Sequence, residues 1–317
     1  MIVVVALNPA LDVTHHLDAV DWAGVNRPAS VSALPGGKGL NVARTLRRLG
    51  ADVLLLGLAG GSTGAAVRTG LAAAGVPAIF TDTEAESRRT FAVVDAQRGT
   101  VALFNEPGPP VSAAEFSRLR ASFADALARG CSAVVLSGSL PAGLPDDSYA
   151  ELIESARRAG VPALLDTSGA ALLAGTSAGP AVVKPNLAEL AAAVGREVPW
   201  RGAGDPRPVL AAAAELRDRG PAAVVVSLGA DGLLALTSEG AWLASGPPVA
   251  GNPTGAGDAV TAALSHGLEL GRAWPERLRH AAALGAATAA APVAGEYRRA
   301  DYERALAEVT VTRLEAC

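Results

Sequence analysis

Apolar residues fall along the chain in short unbroken runs, at residues 2–7, 53–59, 133–137, 163–166, 181–184 and 222–228. Runs of this length, apolar at consecutive rather than alternate positions, suit strands whose two faces are both covered, as in a parallel sheet. Between them lie stretches with helical periodicity at 40–49, 63–74, 113–129, 148–159 and 208–219. Ser112 with Glu115 three residues later makes a capping box that starts the third of these. The alternation predicts βαβ units and an α/β fold: a doubly wound, mostly parallel sheet with helices on both faces.

Two regions break the rhythm. Residues 13–34 and 89–105 alternate polar and apolar positions, carry turn signals such as Asp95-Ala96-Gln97-Arg98-Gly99, and lack helices between their strands. They predict a small antiparallel β lid built from two insertions, about 13–34 and 89–105, near the ends of early strands. No linker, low-complexity segment or internal repeat divides the rest, so residues 1–317 are read as a single domain with one lid.

Composition narrows the picture. Half the chain is apolar, 4% aromatic and 18% charged, which supplies a large Ala/Val/Leu core and excludes a disordered chain. Lys and Arg number 27 against 31 Asp and Glu, a net charge of −4 without a basic block, so neither nucleic acid nor an anionic membrane is the expected partner. Two cysteines, Cys131 and Cys317, give no disulfide framework. The apolar N-terminal run lacks preceding basic residues and reads as a strand rather than a signal peptide. The Ala-rich stretch at 281–294 is too short for a membrane span. The expectation is a soluble, cytoplasmic protein.

In open α/β sheets ligands bind beyond the carboxyl ends of the strands, and three clusters follow such ends. Gly251-Asn252-Pro253-Thr254-Gly255-Ala256-Gly257-Asp258 precedes a helical pattern at 259–270. Glycines and a helix start offer backbone N–H groups and a positive dipole end to an anion. Asp258, in the first turn, is expected to stay ionised and accept a proton, as phosphoryl transfer to a hydroxyl requires. The plain alternative is a turn with Asp as a helix cap. The G-x-G-x-x-G dinucleotide pattern fails at Val260, and no G-x-x-x-x-G-K-[ST] loop occurs.

The second cluster, Pro35-Gly36-Gly37-Lys38-Gly39-Leu40-Asn41, pairs a glycine turn with a cation and a carboxamide, suited to a polyhydroxylated, phosphorylated ligand. A tight turn with a solvated lysine fits as well. The third, Lys184-Pro185-Asn186-Leu187-Ala188-Glu189, sets an amide and a carboxylate on one helix face. Such a pair holds the hydration shell of Mg²⁺ or equally makes a capping pair. Asp12, the small residues Ser137-Gly138-Ser139 and the run Ser227-Leu228-Gly229-Ala230-Asp231-Gly232 also follow strands, and Arg88 and Arg89 lie at the lid's edge.

Taken together, Gly36-Gly37-Lys38-Gly39-x-Asn41-x-Ala43 and Pro253-Thr254-Gly255-Ala256-Gly257-Asp258 resemble the paired signatures of the ribokinase-like (PfkB) carbohydrate kinases, over essentially the whole chain. Segments 7–12, 137–145, 166–172 and 184–186 are similar to the branch containing 1-phosphofructokinase and tagatose-6-phosphate kinase. The resemblance implies an ATP- and Mg²⁺-dependent kinase that phosphorylates a primary hydroxyl of a ketohexose phosphate. It implies that Asp258 is the base and that Gly255, Ala256 and Gly257 form the anion hole. Ser227, Leu228, Gly229, Ala230, Asp231 and Gly232 would line the ATP site, with Lys184 near the phosphates. Asn186 and Glu189 would arrange Mg²⁺, while Asp12, Gly37, Lys38, Asn41 and Ser139 would hold the sugar. Lys38 and Arg88 are the candidates for the sugar's own phosphate. The lid of relatives often doubles as a homodimer interface.

This chain departs from the pattern at Asn252, where many relatives carry Asp, at Ala259 after the base, and at Arg89-Thr90-Phe91 beside the sugar. A kinase of an unphosphorylated sugar or nucleoside and a non-catalytic sugar-phosphate sensor are the competing readings.

Overall fold

The computed structural model describes residues 1–315 apart from 203, 248, 250, 252, 292 and 294. Asn252 and Cys317 therefore lie outside the described residues. Among the described residues, ten strands form one sheet and four form a second. The parallel part of the large sheet runs, in spatial order, through β5 (Ala78–Asp82), β4 (Val53–Ala59), β1 (Ile2–Ala6), β8 (Ala133–Ser137), β9 (Ala163–Asp166), β10 (Val182–Val183) and β11 (Ala223–Ser227). Three antiparallel strands, β12 (Leu233–Thr237), β13 (Gly240–Ser245) and β14 (Thr310–Leu314), extend it at one edge.

Consecutive apolar positions in the central strands bury into opposite layers. Ile2 and Val4 of β1 join a core with α1 (Lys38–Arg48), α2 (Gly61–Ala73), α8 (Ala256–Glu269), α9 (Trp274–Ala289) and α10 (Arg299–Glu308). Val3 and Val5 join the other, with α3 (Ala113–Ala128), α4 (Ser148–Arg158), α5 (Gly169–Ser177), α6 (Leu187–Val194) and α7 (Arg207–Arg217). The period of two along a strand makes this division. Removing both faces from water is the dominant favourable contribution to the fold. The capping box expected from Ser112 and Glu115 opens α3, with each side chain meeting the other's backbone N–H.

The second sheet is the lid, in the order β3 (Ser30–Gly36), β2 (Ala10–Leu17), β6 (Arg88–Asp95) and β7 (Thr100–Asn105). Its outer pairs, β2–β3 and β6–β7, are antiparallel hairpins, but β2 and β6 at its centre are parallel. Both continue outward from neighbouring parts of the parallel core, β2 soon after β1 and β6 soon after β5, so they run the same way when they meet. Strand order reverses around β1 and β8: β4 and β5 lie to one side and β9 to β11 to the other. The carboxyl edge beside such a reversal leaves a crevice between diverging connections.

Candidate active site

A cleft of about 1210 Å³ opens at that edge beneath the lid. Its walls bring together Asp12, Gly37, Lys38, Asn41, Arg88, Ser139, Lys184, Asn186, Glu189, Ser227, Gly229, Ala230, Gly232, Gly255, Ala256, Gly257 and Asp258. Leu228 and Asp231, also expected from the sequence, are not among the residues lining it. The Leu228 side chain packs into the core, and Asp231 accepts a hydrogen bond from Trp200 Nε1 at 2.8 Å. The short 3₁₀ turn Gly229–Asp231 presents only some of its residues to the cleft.

Gly255 caps α8 at φ 83°, a left-handed conformation that costs glycine little and a side chain much. This turn lets the helix start face the cleft. The Ala256 N–H closes the turn on Pro253 O at 3.0 Å, so that group is already engaged. Asp258 follows in the first turn, buried yet lining the cleft, and its Oδ2 accepts from Asn41 Nδ2 at 2.8 Å. The helix dipole favours the ionised carboxylate, but burial works against it. Burial, reinforced by the charge of Asp166, raises Asp258 to about 7.

Asp166, at the end of β9, is the residue the sequence reading missed. It is fully buried. Its Oδ1 accepts from Lys38 Nζ at 3.0 Å, and its Oδ2 accepts from Thr261 Oγ1 at 2.7 Å and lies 3.3 Å from Lys184 Nζ. Burial opposes its charge, but Lys184 and Lys38 outweigh it and hold the carboxyl below its ordinary range. Burial likewise opposes the Lys38 ammonium. The charges of Asp166, Glu189 and Asp258 prevail and raise it. A signal existed in the sequence: an acid closing an apolar strand is a buried charge, and a buried charge must be paired.

Lys38 therefore points across the cleft floor to Asp166, with Glu189 Oε1 at 3.7 Å, rather than toward the lid. Asn186 and Glu189 form the capping pair that the spacing allowed: Asn186 Oδ1 accepts from Glu189 N, and Glu189 Oε2 from Asn186 N, both at 2.8 Å. Glu189 Oε1 is left over, turned toward Lys38.

Under the lid, Asp12 accepts from Thr90 Oγ1 at 2.6 Å, and burial raises its pKa despite that bond and the nearby Arg88. A Cβ on Gly36 would stand 1.8 Å from Asp12 Oδ2, so this carboxylate occupies space only glycine leaves. Arg88 donates to the Asn8 carbonyl through Nε and Nη2, at 3.3 and 3.2 Å, and to Glu106 O through Nη1 at 3.2 Å. Asn8 Nδ2 donates to Ser139 Oγ at 3.1 Å. Asn8 Oδ1, Ser137 Oγ and Thr167 Oγ1 are buried in the cleft wall without a hydrogen-bond partner in the protein.

A buried acid at a helix N-terminus, two lysines and a glycine-rich loop across a cleft form a site suited to moving a phosphoryl group onto an alcohol. The family model "pfkB family carbohydrate kinase" matches residues 6–297, and the chain belongs to that family of carbohydrate kinases. Phosphofructokinase-2 from Escherichia coli, in its tetrameric inhibited form, is 31% identical over 96% of this chain and 98% of that one, with a TM-score of 0.88. The same enzyme in complex with fructose-6-phosphate matches at 31% identity and the same coverage, with a TM-score of 0.86. A Thermotoga maritima protein described as a possible 1-phosphofructokinase shares the fold at 24% identity and a TM-score of 0.86, over 99% of each chain. Among the described residues, no helix is long and apolar enough to cross a membrane.

Proposed function

We propose that this sugar kinase transfers the γ-phosphate of ATP to a primary hydroxyl of a ketohexose phosphate, fructose 1-phosphate or a 6-phosphate of fructose or tagatose, giving a bisphosphate. The observation that carries the reading is the buried Asp258 at the start of α8, raised to about 7 and facing the cleft that holds Lys38 and Lys184. A base near neutrality is matched to its task. Asp258 takes the proton of the acceptor hydroxyl, and that oxygen forms the new bond to phosphorus as the bond to the departing ADP oxygen breaks. Backbone N–H groups of Gly255 and Gly257 line the path of the migrating group, with Lys184 beside Gly257.

Ser227, Gly229, Ala230 and Gly232 supply a narrow nucleotide wall. Asn186 Oδ1 and the left-over Glu189 Oε1 are hard oxygens, the chemistry Mg²⁺ prefers, and few protein oxygens suffice for an ion that retains water and takes phosphate oxygens. When bound, Mg²⁺ neutralises the charge of the phosphates. Asp12, Asn41 and Ser139 hold sugar hydroxyls. Arg88, beside Asp12 under the lid, meets the sugar's own phosphate, whereas Lys38, turned to the cleft floor, serves the transferred group. The chain works as one kinase domain with its lid, and the exposed Val101, Leu103 and Phe104 of that lid are covered by a second copy.

An ADP-release assay over fructose 1-phosphate, fructose 6-phosphate, tagatose 6-phosphate, fructose and adenosine tests the reading. One of the sugar phosphates is expected to exceed fructose in kcat/KM by ~10² or more, the worth of a charge-assisted phosphate contact. Fructose or adenosine as the best acceptor overturns the substrate assignment.

A further inference from the structure

We propose that Asp166 is a positioning residue of phosphoryl transfer: its buried carboxylate sets Lys38 and Lys184 apart across the cleft floor beside Asp258. The inference rests on the transfer chemistry proposed above and adds a residue to it.

The geometry is that of a hub. Asp166 ends β9 with no solvent exposure, and its two oxygens divide their partners. Oδ1 takes Lys38 from the first turn of α1, and Oδ2 takes Lys184, which follows β10. Thr261, three residues beyond Asp258 on α8, donates to Oδ2 at 2.7 Å and fixes which oxygen faces which lysine. Thr261 Oγ also lies 3.1 Å from Gly257 O, in the turn that carries the base. One carboxylate thus ties together the three segments that bear the chemistry.

Two features separate this from ordinary core pairing. Lys184 is almost as buried as Asp166, so the pair excludes water and a lost partner leaves an uncompensated charge. Lys38 is 37% exposed in its side chain, open to the cleft, so it can meet an incoming anion without leaving Asp166. Without Asp166 the two ammonium groups repel each other and lose their shared anchor. Lys38 then keeps only Glu189 Oε1, 3.7 Å away, and Lys184 loses the Asp166 carboxylate that holds it. A lysine drawn off toward another acid is displaced from the phosphoryl path, and displacements of an ångström at such a site cost ~10² in rate.

Asp166→Asn, Lys38→Met and their double variant test this through kcat and KM. Asp166→Asn is expected to lower kcat ~10² while both KM values stay within ~3-fold, because the lost interaction is one made in the transition state. The double variant is expected to lose little beyond the worse single variant, since Asp166 acts through Lys38. A near wild-type kcat for Asp166→Asn, or losses that multiply to ~10⁴ in the double variant, overturns the proposal.

If Asp166→Asn does not fold, Thr261→Val carries the test, because it removes only the hydroxyl that aims Oδ2. Its kcat is expected to fall ~5-fold at unchanged KM, about one hydrogen bond, with the same non-additivity against Lys38→Met. An unchanged kcat, or full multiplication, refutes it. Asp258→Asn run in parallel separates the two readings: active Asp258→Asn sinks the base assignment, whereas inactive Asp258→Asn beside active Asp166→Asn sinks only the hub.

Discussion

The two ends of the cleft are built differently. At the floor, Asp166, Lys184 and Asp258 are buried, and each is held by partners from another element. Under the lid, Arg88 and Thr90 are half-buried, and the neighbouring lid residues Val101, Leu103 and Phe104 are exposed. A locked floor costs no reorganisation when charge moves, which is how electrostatic catalysis works. A looser lid adapts to the acceptor and brings its groups in on binding. Under the proposed function this difference is a division of labour, with the floor assigned to turnover and the lid to the choice and affinity of the sugar.

Substitutions at each end break or sharpen that division. Asp258→Asn is expected to have the largest effect, a ~10²–10⁴ loss of kcat with ATP binding largely kept, measured by steady-state kinetics and nucleotide titration. Arg88→Ala is expected to raise KM for the sugar phosphate ~10–100-fold, the worth of a charge-assisted contact, with kcat changed far less. A kcat effect as large as that of Asp258→Asn would erase the distinction between the ends. Phe104→Asp, at an exposed lid position outside the cleft lining, is expected to shift the proposed dimer to monomer in size-exclusion chromatography, while the floor keeps its fold. Thr90→Val, which removes the hydroxyl bond to Asp12, is expected to raise the sugar KM only ~5-fold, the scale of one neutral hydrogen bond.

The floor also trades stability for chemistry. Asp258 is raised from 3.8 to about 7, so between those values the native state holds a proton that the unfolded chain has released. Its favourable contribution is complete below the unfolded value and is lost as pH rises through about 7. Asp258→Asn is therefore expected to raise Tm, and by more at pH 8 than at pH 5. An equal or lower Tm at pH 8 would show that burial of the charged acid costs nothing.

The same contrast governs what the sequence made legible. Strands β4, β8 and β9 have the bounds their apolar runs predict, because burial on both faces leaves an unbroken signature. Both insertions were recognisable as lid from their polar alternation, but the parallel pairing of β2 with β6 was not. That pairing depends on where the core strands release them. The edge strands β12, β13 and β14 escaped notice: they pair antiparallel outside the βαβ rhythm, and β14 joins β13 only after three intervening helices. The glycine turns and Asp258 stood out as motifs, and the cleft gathers them. The charge state of Asp258 did not, since the dipole argument is local and its burial beside Asp166 is tertiary. Lys38 was assigned by type to a phosphate, yet only the fold reveals that it faces Asp166 and Glu189 instead of the lid.

The role of Asp258 is tested most directly by kcat/KM for the best sugar phosphate as a function of pH, at saturating ATP. That ratio reports the essential base of the ATP-bound enzyme before the sugar binds. It is expected to fall tenfold per pH unit below about 7, where the Asp258 carboxyl takes up its proton. A profile that stays flat down to pH 5 would contradict the account.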